Sequence, residues 1–251
     1  MSVNKLIYSI IPARAGSKGI PRKNVVLLQG YPLLTYSIAA SRLCSTINRT
    51  IVSTDSEEIA EIALRYGAEV PFLRPKEFAT DNSPDLEFVL HTLNWFKENE
   101  NKLPDYLVHL RPTTPLRDPN IIEKAVSEII RHPEATSLRS GHPSSESPFK
   151  WFLCDEGGYF KSILSGYKNE FINNPRQSFP TIYIPDGYVD VLNASFILHS
   201  NNLHGDKMIG FTSPFCTEID TLEDLEYLEF ELLKKGSPLL TYLTQNFQRE
   251  S

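Results

Sequence analysis

The sequence predicts an α/β fold with a mainly parallel sheet covered on both faces. Two observations predict it. Short apolar runs alternate with stretches of 3.6-residue periodicity through the first half of the chain, and the helical stretches open on capping signals. With 251 residues, 41% of them hydrophobic, the chain can bury a full core as one domain spanning 1–251, or as one domain carrying an arm.

The elements follow in order. Leu6 to Ala13 is apolar and is closed by Arg14; it is too short to cross a bilayer and lacks a basic start, so it reads as a buried strand, Leu6 to Pro12. Further strands are expected at Arg49 to Thr54, Glu69 to Leu73 and Tyr106 to Leu110. One helix is expected from about Ser56 to Tyr66, with Ile59, Ile62, Ala63 and Tyr66 on one face. A second starts with Ser83 as N-cap and Pro84 at its first position, and buries Leu86, Val89, Leu90 and Leu93. A third starts at Asp118-Pro119 and buries Ile122, Ala125, Val126, Ile129 and Ile130. From Ser140 to Pro185 the pattern changes to Ser, Pro, Gly, Asn and aromatics, which reads as an insertion of hairpins and loops. Its Phe149, Trp151, Phe152, Tyr159 and Phe160 need a surface to bury against, and a second subunit is one such surface. Order returns at Ala194 to His199, and a last helix is expected from about Leu222 to Lys235.

Composition narrows the function. A formal net charge of -6 argues against a nucleic-acid coat, while a local basic pocket can still hold a small anion. Cys44, Cys154 and Cys216 form no CxxC pair, and the six histidines include no HExxH spacing, so neither a zinc site nor a disulfide framework is expected. His91, His109 and His142 read as ordinary core or surface residues. A reducing cytoplasm, with no membrane partner, is the expected compartment.

The strongest chemical signal is Ile11-Pro-Ala-Arg-Ala-Gly-Ser-Lys-Gly-Ile-Pro-Arg-Lys-Asn24, directly after the first strand. Gly16 and Gly19 permit tight turns whose N–H groups face an anion, and Arg14, Lys18 and Lys23 add three cations, as a triphosphate requires. The segment is neither GxxxxGK[ST] nor GxGxxG. It lies at the carboxyl end of the strand, where open α/β sheets bind ligands. Glu218 and Asp220 form a second signal. In an extended segment both carboxylates face one side and can converge on a hard cation, whereas capping of the last helix by Asp220 or Thr221 is the competing reading.

The segment RAGSKGIPRKN resembles the signature of the acylneuraminate cytidylyltransferase family, which includes CMP-sialic acid synthetases. Val52-Ser-Thr-Asp55, Leu73-Arg-Pro75 with Ala79-Thr-Asp81, Leu110-Arg-Pro-Thr-Thr-Pro-Leu-Arg117, Pro175-Arg-Gln177 and Glu218-Ile-Asp220 occur in the family's order. The resemblance implies a Rossmann-like nucleotidyltransferase fold with a dimerisation arm, here 140–185, and a homodimer. It implies transfer of CMP from CTP to the anomeric hydroxyl of a free eight- or nine-carbon 2-keto sugar acid, with release of pyrophosphate.

By the same resemblance, Ala13, Arg14, Ser17, Lys18, Lys23, Asn24, Arg74 and Asp81 bind the nucleotide. Arg14, Lys23 and Asp220 serve the chemistry, with Lys23 stabilising charge on the α-phosphate. Arg74 lines the cytidine pocket, or else is a strand-end arginine in a surface ion pair. Arg111, Lys150, Arg176, Gln177 and Asp186 contact the sugar, Arg176 meeting its carboxylate and Lys150 reaching the neighbouring subunit's site. Glu218 and Asp220 hold Mg2+, with Mn2+ as a substitute.

Two departures concern the sugar. Sialic acid synthetases often have glutamine where this chain has Arg111, which offers only donors, and Pro185-Asp-Gly187 stands where Pro-Asn-Gly is common. Legionaminic, pseudaminic and octulosonic acids therefore stay open beside N-acetylneuraminic acid. Two rival classes share the architecture: a metal-dependent glycosyltransferase and a non-catalytic nucleotide-binding regulator.

Overall fold

The computed structural model describes residues 5–164, 166 and 168–250, so Ser165 and Tyr167 of the 140–185 segment lie outside the described residues. The strands are β1 (Ile7–Pro12), β2 (Leu27–Leu28), β3 (Tyr31–Pro32), β4 (Arg49–Ser53), β5 (Tyr106–His109), β6 (Ser137–Pro143), β7 (Phe152–Cys154), β8 (Phe160–Ser162), β9 (Tyr183–Asn193) and β10 (Met208–Thr212). The helices are α1 (Leu33–Leu43), α2 (Glu57–Arg65), α3 (Asp85–Asn99), α4 (Pro119–Arg131), α5 (Ala194–Ser200), α6 (Leu222–Lys235) and α7 (Pro238–Asn246).

The main sheet has the order β10-β6-β9-β5-β1-β4. β1 runs parallel to β4 and β5, and β10 runs parallel to β6. β9 is antiparallel to both β5 and β6, so it alone in this sheet runs against the rest. The expected strand at Glu69 to Leu73 is reduced to two isolated parallel bridges, Ile51 to Glu69 and Thr54 to Leu73, at the outer edge of β4.

β1 shows why the sheet is covered on both faces. Its side chains alternate, so Ile7 and Ile11 join the cluster under α1, α2 and α4, while Tyr8 and Ile10 join Phe88, Leu93 and Phe96 of α3. Ser9 falls on the α1 face, where its Oγ lies 2.7 Å from Ser41 Oγ, which in turn lies 2.7 Å from Thr50 Oγ1. A buried hydroxyl ladder thus satisfies polar groups that would each cost about 1–3 kcal/mol unpaired.

Helix boundaries follow local chemistry. Ser56 caps α2 by accepting from the Ile59 N–H, and Asp118 caps α4 with Pro119 at its first position. Ile130 is 38% exposed, because it lies just outside the buried arc set by Ile122, Ala125, Val126 and Ile129. α3 begins one residue later than expected. Pro84 occupies the N-cap position, and Ser83 instead ties down the preceding turn through Thr80 N and Glu77 O. α6 spans the expected residues, with Thr221 as N-cap and Asp224 closing a capping box. The ends of the irregular segment are regular: Ser140 to Pro143 belongs to β6 and Tyr183 to Pro185 opens β9. Between them lie short 3-10 turns and the β7–β8 hairpin.

Candidate active site

Because β1, β4 and β5 are parallel, their carboxyl ends share one edge of the sheet, and a cleft of about 300 Å3 opens there. The loop after β1 forms one wall. Its course is held by the Ala13 N–H donating to Ser53 O and the Ala15 N–H donating to Asp55 Oδ1 at 2.8 Å. The N–H groups of Gly16 and Ser17, both on the cleft wall, are left without an intramolecular partner among the described residues.

Neither loop glycine has a left-handed φ. A Cβ on Gly19 would lie 2.5 Å from the backbone oxygen of Asp220, so a bare Cα is what lets the loop touch the carboxylate segment. A Cβ on Gly16 would meet nothing within 4 Å. The left-handed residue of this loop is Arg22, with φ 55°.

Lys23 is 9% exposed and lines the cleft. Its Nζ donates to Ile219 O at 2.8 Å and meets Asp220 Oδ1 at 3.0 Å. Asn24 donates to Arg14 O at 2.8 Å, which fixes the start of the loop. Arg14 pairs with Asp81 at 2.8 Å and donates to Thr80 O. Lys18 is exposed, 3.5 Å from the other Asp81 oxygen, and stands outside the cleft lining.

Arg74 is a buried arginine and not a surface ion pair. It is 5% exposed, donates to Ser53 Oγ and Ser53 O, and stacks 4.7 Å over the Phe88 ring. Burial pushes its pKa down to about 10 against the opposing pull of Asp55 and Asp85, so it stays a cation at neutral pH. With Phe78 and Phe88 it gives this end of the cleft an aromatic floor and one fixed charge.

Glu218 and Asp220 flank Ile219, whose N–H donates to Thr113 O. Glu218 accepts from Thr113 Oγ1 at 3.0 Å, and the Asp220 side chain is 72% exposed beside Lys23. Thr221 does the capping of α6, and the Asp224 carboxylate takes the Asp220 and Thr221 N–H groups. The Asp220 side chain is therefore free of a capping role. Among the described residues no three His, Cys, Asp or Glu side chains are grouped to hold a metal, so these two carboxylates offer a hard cation only part of its shell.

The sugar-side residues divide. Arg111 lines the cleft. Burial works to lower its pKa, and Asp190 and Asp85 more than reverse this, so it remains charged. Arg176 and Gln177 line a separate cavity in the arm with Ser144, Ser147 and Phe179, and Arg176 donates to Ser144 O at 2.6 Å. Lys150 donates to Asn174 O at 3.0 Å, also in the arm. Asp186 stands apart from both cavities. It is 5% exposed and its carboxylate accepts from Ser140, Ser213 and the Tyr188 N–H, with His142 Nδ1 at 3.4 Å.

Several cleft residues escaped the sequence reading: Phe78, Ser83, Asp85, Phe88 and Thr113. Asp85 had a signal, an acidic residue at the first turn of a helix whose N-terminus faces the sheet's carboxyl edge. Arg117 was missed in another way. It is 1% exposed and its guanidinium bonds Arg111 O, Gly187 O and Tyr188 O, which locks the Arg111-to-Arg117 turn onto β9.

Known proteins resemble this chain in sequence and in fold. Residues 8–201 match the family model described as Cytidylyltransferase. The chain is 41% identical over 203 residues to the CMP-N,N'-diacetyllegionaminic acid synthase of Legionella pneumophila, covering 80% of this chain and 83% of that protein. It is 31% identical over 225 residues to the N-acylneuraminate cytidylyltransferase of Escherichia coli, covering 88% of this chain and 50% of that protein. A solved CMP:2-keto-3-deoxy-manno-octonic acid synthetase complexed with CTP superposes with a TM-score of 0.68 at 14% identity, over 92% of this chain and 99% of that one. At that identity the superposition speaks for the fold, and the family model and the Legionella relative speak for the lineage: this chain belongs to the cytidylyltransferase family.

Proposed function

We propose that the protein transfers CMP from CTP to the anomeric hydroxyl of a free nonulosonic acid and releases pyrophosphate. The observation that carries this reading is Lys23. It stands where the glycine-basic loop meets the Glu218–Asp220 segment, held by Ile219 O and Asp220. The sugar hydroxyl oxygen forms a bond to the α-phosphorus, the bond to the β-phosphate bridge breaks, and the hydroxyl proton leaves to solvent. Charge develops on the phosphoryl oxygens, and a cation already in place beside them needs no reorganisation. Arg14 and the free N–H groups of Gly16 and Ser17 suit the β- and γ-phosphates, and Arg74 with Phe78 and Phe88 suits the base.

Glu218 and Asp220 suit Mg2+, because both are hard oxygen donors in contact with the cleft residues Thr113 and Lys23, and neither is consumed by helix capping. Bound there, the ion would supply Lewis-acid charge stabilisation to the phosphates. The arm supplies Lys150, Arg176 and Gln177, and its exposed aromatics suit a homodimer that completes the sugar site. The compartment proposed is the cytoplasm, consistent with three free cysteines. No helix among the described residues is long and apolar enough to cross a membrane.

The relatives named for diacetyllegionaminic acid and N-acylneuraminate support the nonulosonic class. The test is pyrophosphate release from CTP with diacetyllegionaminic, N-acetylneuraminic, pseudaminic and octulosonic acids. Turnover with the nine-carbon acids is expected. Turnover with the octulosonic acid alone moves the protein to the eight-carbon synthetases, and consumption of a nucleotide-sugar without CTP makes it a glycosyltransferase.

A further inference from the structure

Arg111 and Asp85 form part of the cleft wall, and behind them three neighbouring strands carry a row of polar side chains. His109 of β5 lies across from Asp190 of β9, which lies across from Arg139 of β6. Asp190 is 1% exposed; its Oδ2 accepts from Arg111 Nη1 at 2.9 Å, and Arg139 Nε stands 3.7 Å from its Oδ1. Arg111 Nη2 donates to Asp85 Oδ2 at 2.8 Å. The Asp85 side chain remains 39% exposed, and its Oδ1 has no partner among the described residues.

A lone arginine in this place would be a ready partner for a carboxylate or phosphate. Here two guanidinium groups and two carboxylates cancel formally, so an incoming anion gains little Coulomb attraction from Arg111 and meets repulsion from Asp85. A hydroxyl or N–H fares differently. It can donate to the free Asp85 oxygen in a charge-assisted hydrogen bond, while an adjacent substrate oxygen accepts from the guanidinium edge.

We propose that Asp85 and Arg111 act as a donor–acceptor pair that selects an uncharged polar edge of the bound substrates, and that Asp190 is the positioning residue holding Arg111 in that pair. This rests on the function proposed above. The edge belongs to the sugar acid or to the nucleotide, and the experiment separates the two.

Steady-state rates of the full chain are measured with CTP and sugar acid varied in turn. Asp85→Asn keeps a partner for Arg111 but turns the free acceptor into a donor. The KM of one substrate is expected to rise roughly tenfold or more, with kcat falling less. A rise for the sugar acid assigns the edge to the sugar, and a rise for CTP assigns it to the nucleotide. An anion-binding role for Arg111 has the opposite sign, since loss of the Asp85 charge would free the guanidinium and lower that KM. A lowered or unmoved KM for both substrates overturns the proposal.

For the positioning role, Asp190→Asn should raise the same KM, and adding it to Arg111→Gln should cost nothing further. An additive loss in the double variant overturns that role. Should Asp190→Asn alone not fold, the double variant against Arg111→Gln still decides, because it removes the buried cation with its counter-ion. Wild-type chain that turns over no sugar acid overturns the functional reading and this inference together. Normal wild-type turnover with unmoved KM values in the variants overturns this inference alone.

Discussion

At the carboxyl edge of the sheet, charge is buried and apolar groups are covered; in the arm both are turned outward. Arg74, Lys23 and Arg117 are each under 10% exposed, and each is held by backbone carbonyls or hydroxyls. In the arm, Trp151 is 51% exposed, Leu153 62%, Tyr159 74% and Phe160 61%, and Lys150 donates to the loop carbonyl of Asn174. Within the arm, Phe149 and Phe171 pack on Phe179, and Phe152 stacks on Phe160 while staying exposed. The buried cations at this edge are thus held by partners from the same chain. The arm's apolar surface asks for a second body.

The comparison breaks first at Lys23. Lys23→Ala should lower turnover roughly a hundredfold to a thousandfold while leaving the sheet folded, as loss of one prepositioned electrostatic contact does elsewhere. Turnover and thermal unfolding measured on the same preparation check this. Near-normal turnover would remove Lys23 from the chemistry.

The carboxylates give the next effect. Asp220→Asn should depress turnover and demand more Mg2+, and Glu218→Gln should mainly raise the Mg2+ needed for half-maximal rate, about tenfold or more. Rates against Mg2+ and Mn2+ for both variants decide. Unchanged metal dependence in Asp220→Asn would move the ion elsewhere.

The arm is tested by association. Phe152→Ser with Phe160→Ser removes the exposed stacked pair, whose centroids lie 5.2 Å apart. Light scattering at micromolar concentration should show wild-type dimer and variant monomer, with the monomer losing sugar-dependent turnover while still binding CTP. A wild-type chain that is monomeric and fully active would end the idea of a shared site.

The smallest effect concerns acid. Burial, helped by Arg111, pushes the His109 imidazole from its ordinary 6.5 down to about 3, despite Asp85 and Asp190. The unfolded chain takes up a proton near 6.5 and the folded chain does not. Stability present above that pH is therefore lost as pH falls toward 3, at about 1.4 kcal/mol per pH unit. Unfolding midpoints between pH 7 and about 5 should fall accordingly, and His109→Leu should flatten the profile. A flat wild-type profile would contradict a neutral buried His109.

How much was legible follows from range. The loop after β1 was readable because its glycines, cations and strand are contiguous. α1 was not, because Leu33 through Ser41 are all buried and show no polar face to set a period. β9 was hidden because Pro185, Asp186 and Gly187 interrupt its apolar run; Gly187 takes a left-handed φ of 62° inside the strand. α7 carried a readable signal in Ser237-Pro238 that was passed over. The Asp85–Arg111–Asp190 group was beyond sequence reasoning. Its members stand 26 and 79 residues apart, and Asp190 reaches Arg111 because β9 inserts between β5 and β6.

That insertion also decides how the arm is attached. The chain leaves the sheet at Pro143 and returns at Tyr183, and these two residues face each other across neighbouring strands. Strand spacing is about 4.8 Å, so the arm's two roots meet at a gap that an ordinary hairpin turn can close. Whatever hangs from that gap adds loop-closure entropy that grows only as the logarithm of its length. The arm is therefore a cassette: it can be lengthened, traded for a relative's, or trimmed to a turn without resetting the sheet's register. Under the function proposed above, exchanging residues 144–182 should alter sugar choice and subunit pairing and leave the cleft at the sheet's carboxyl edge unchanged.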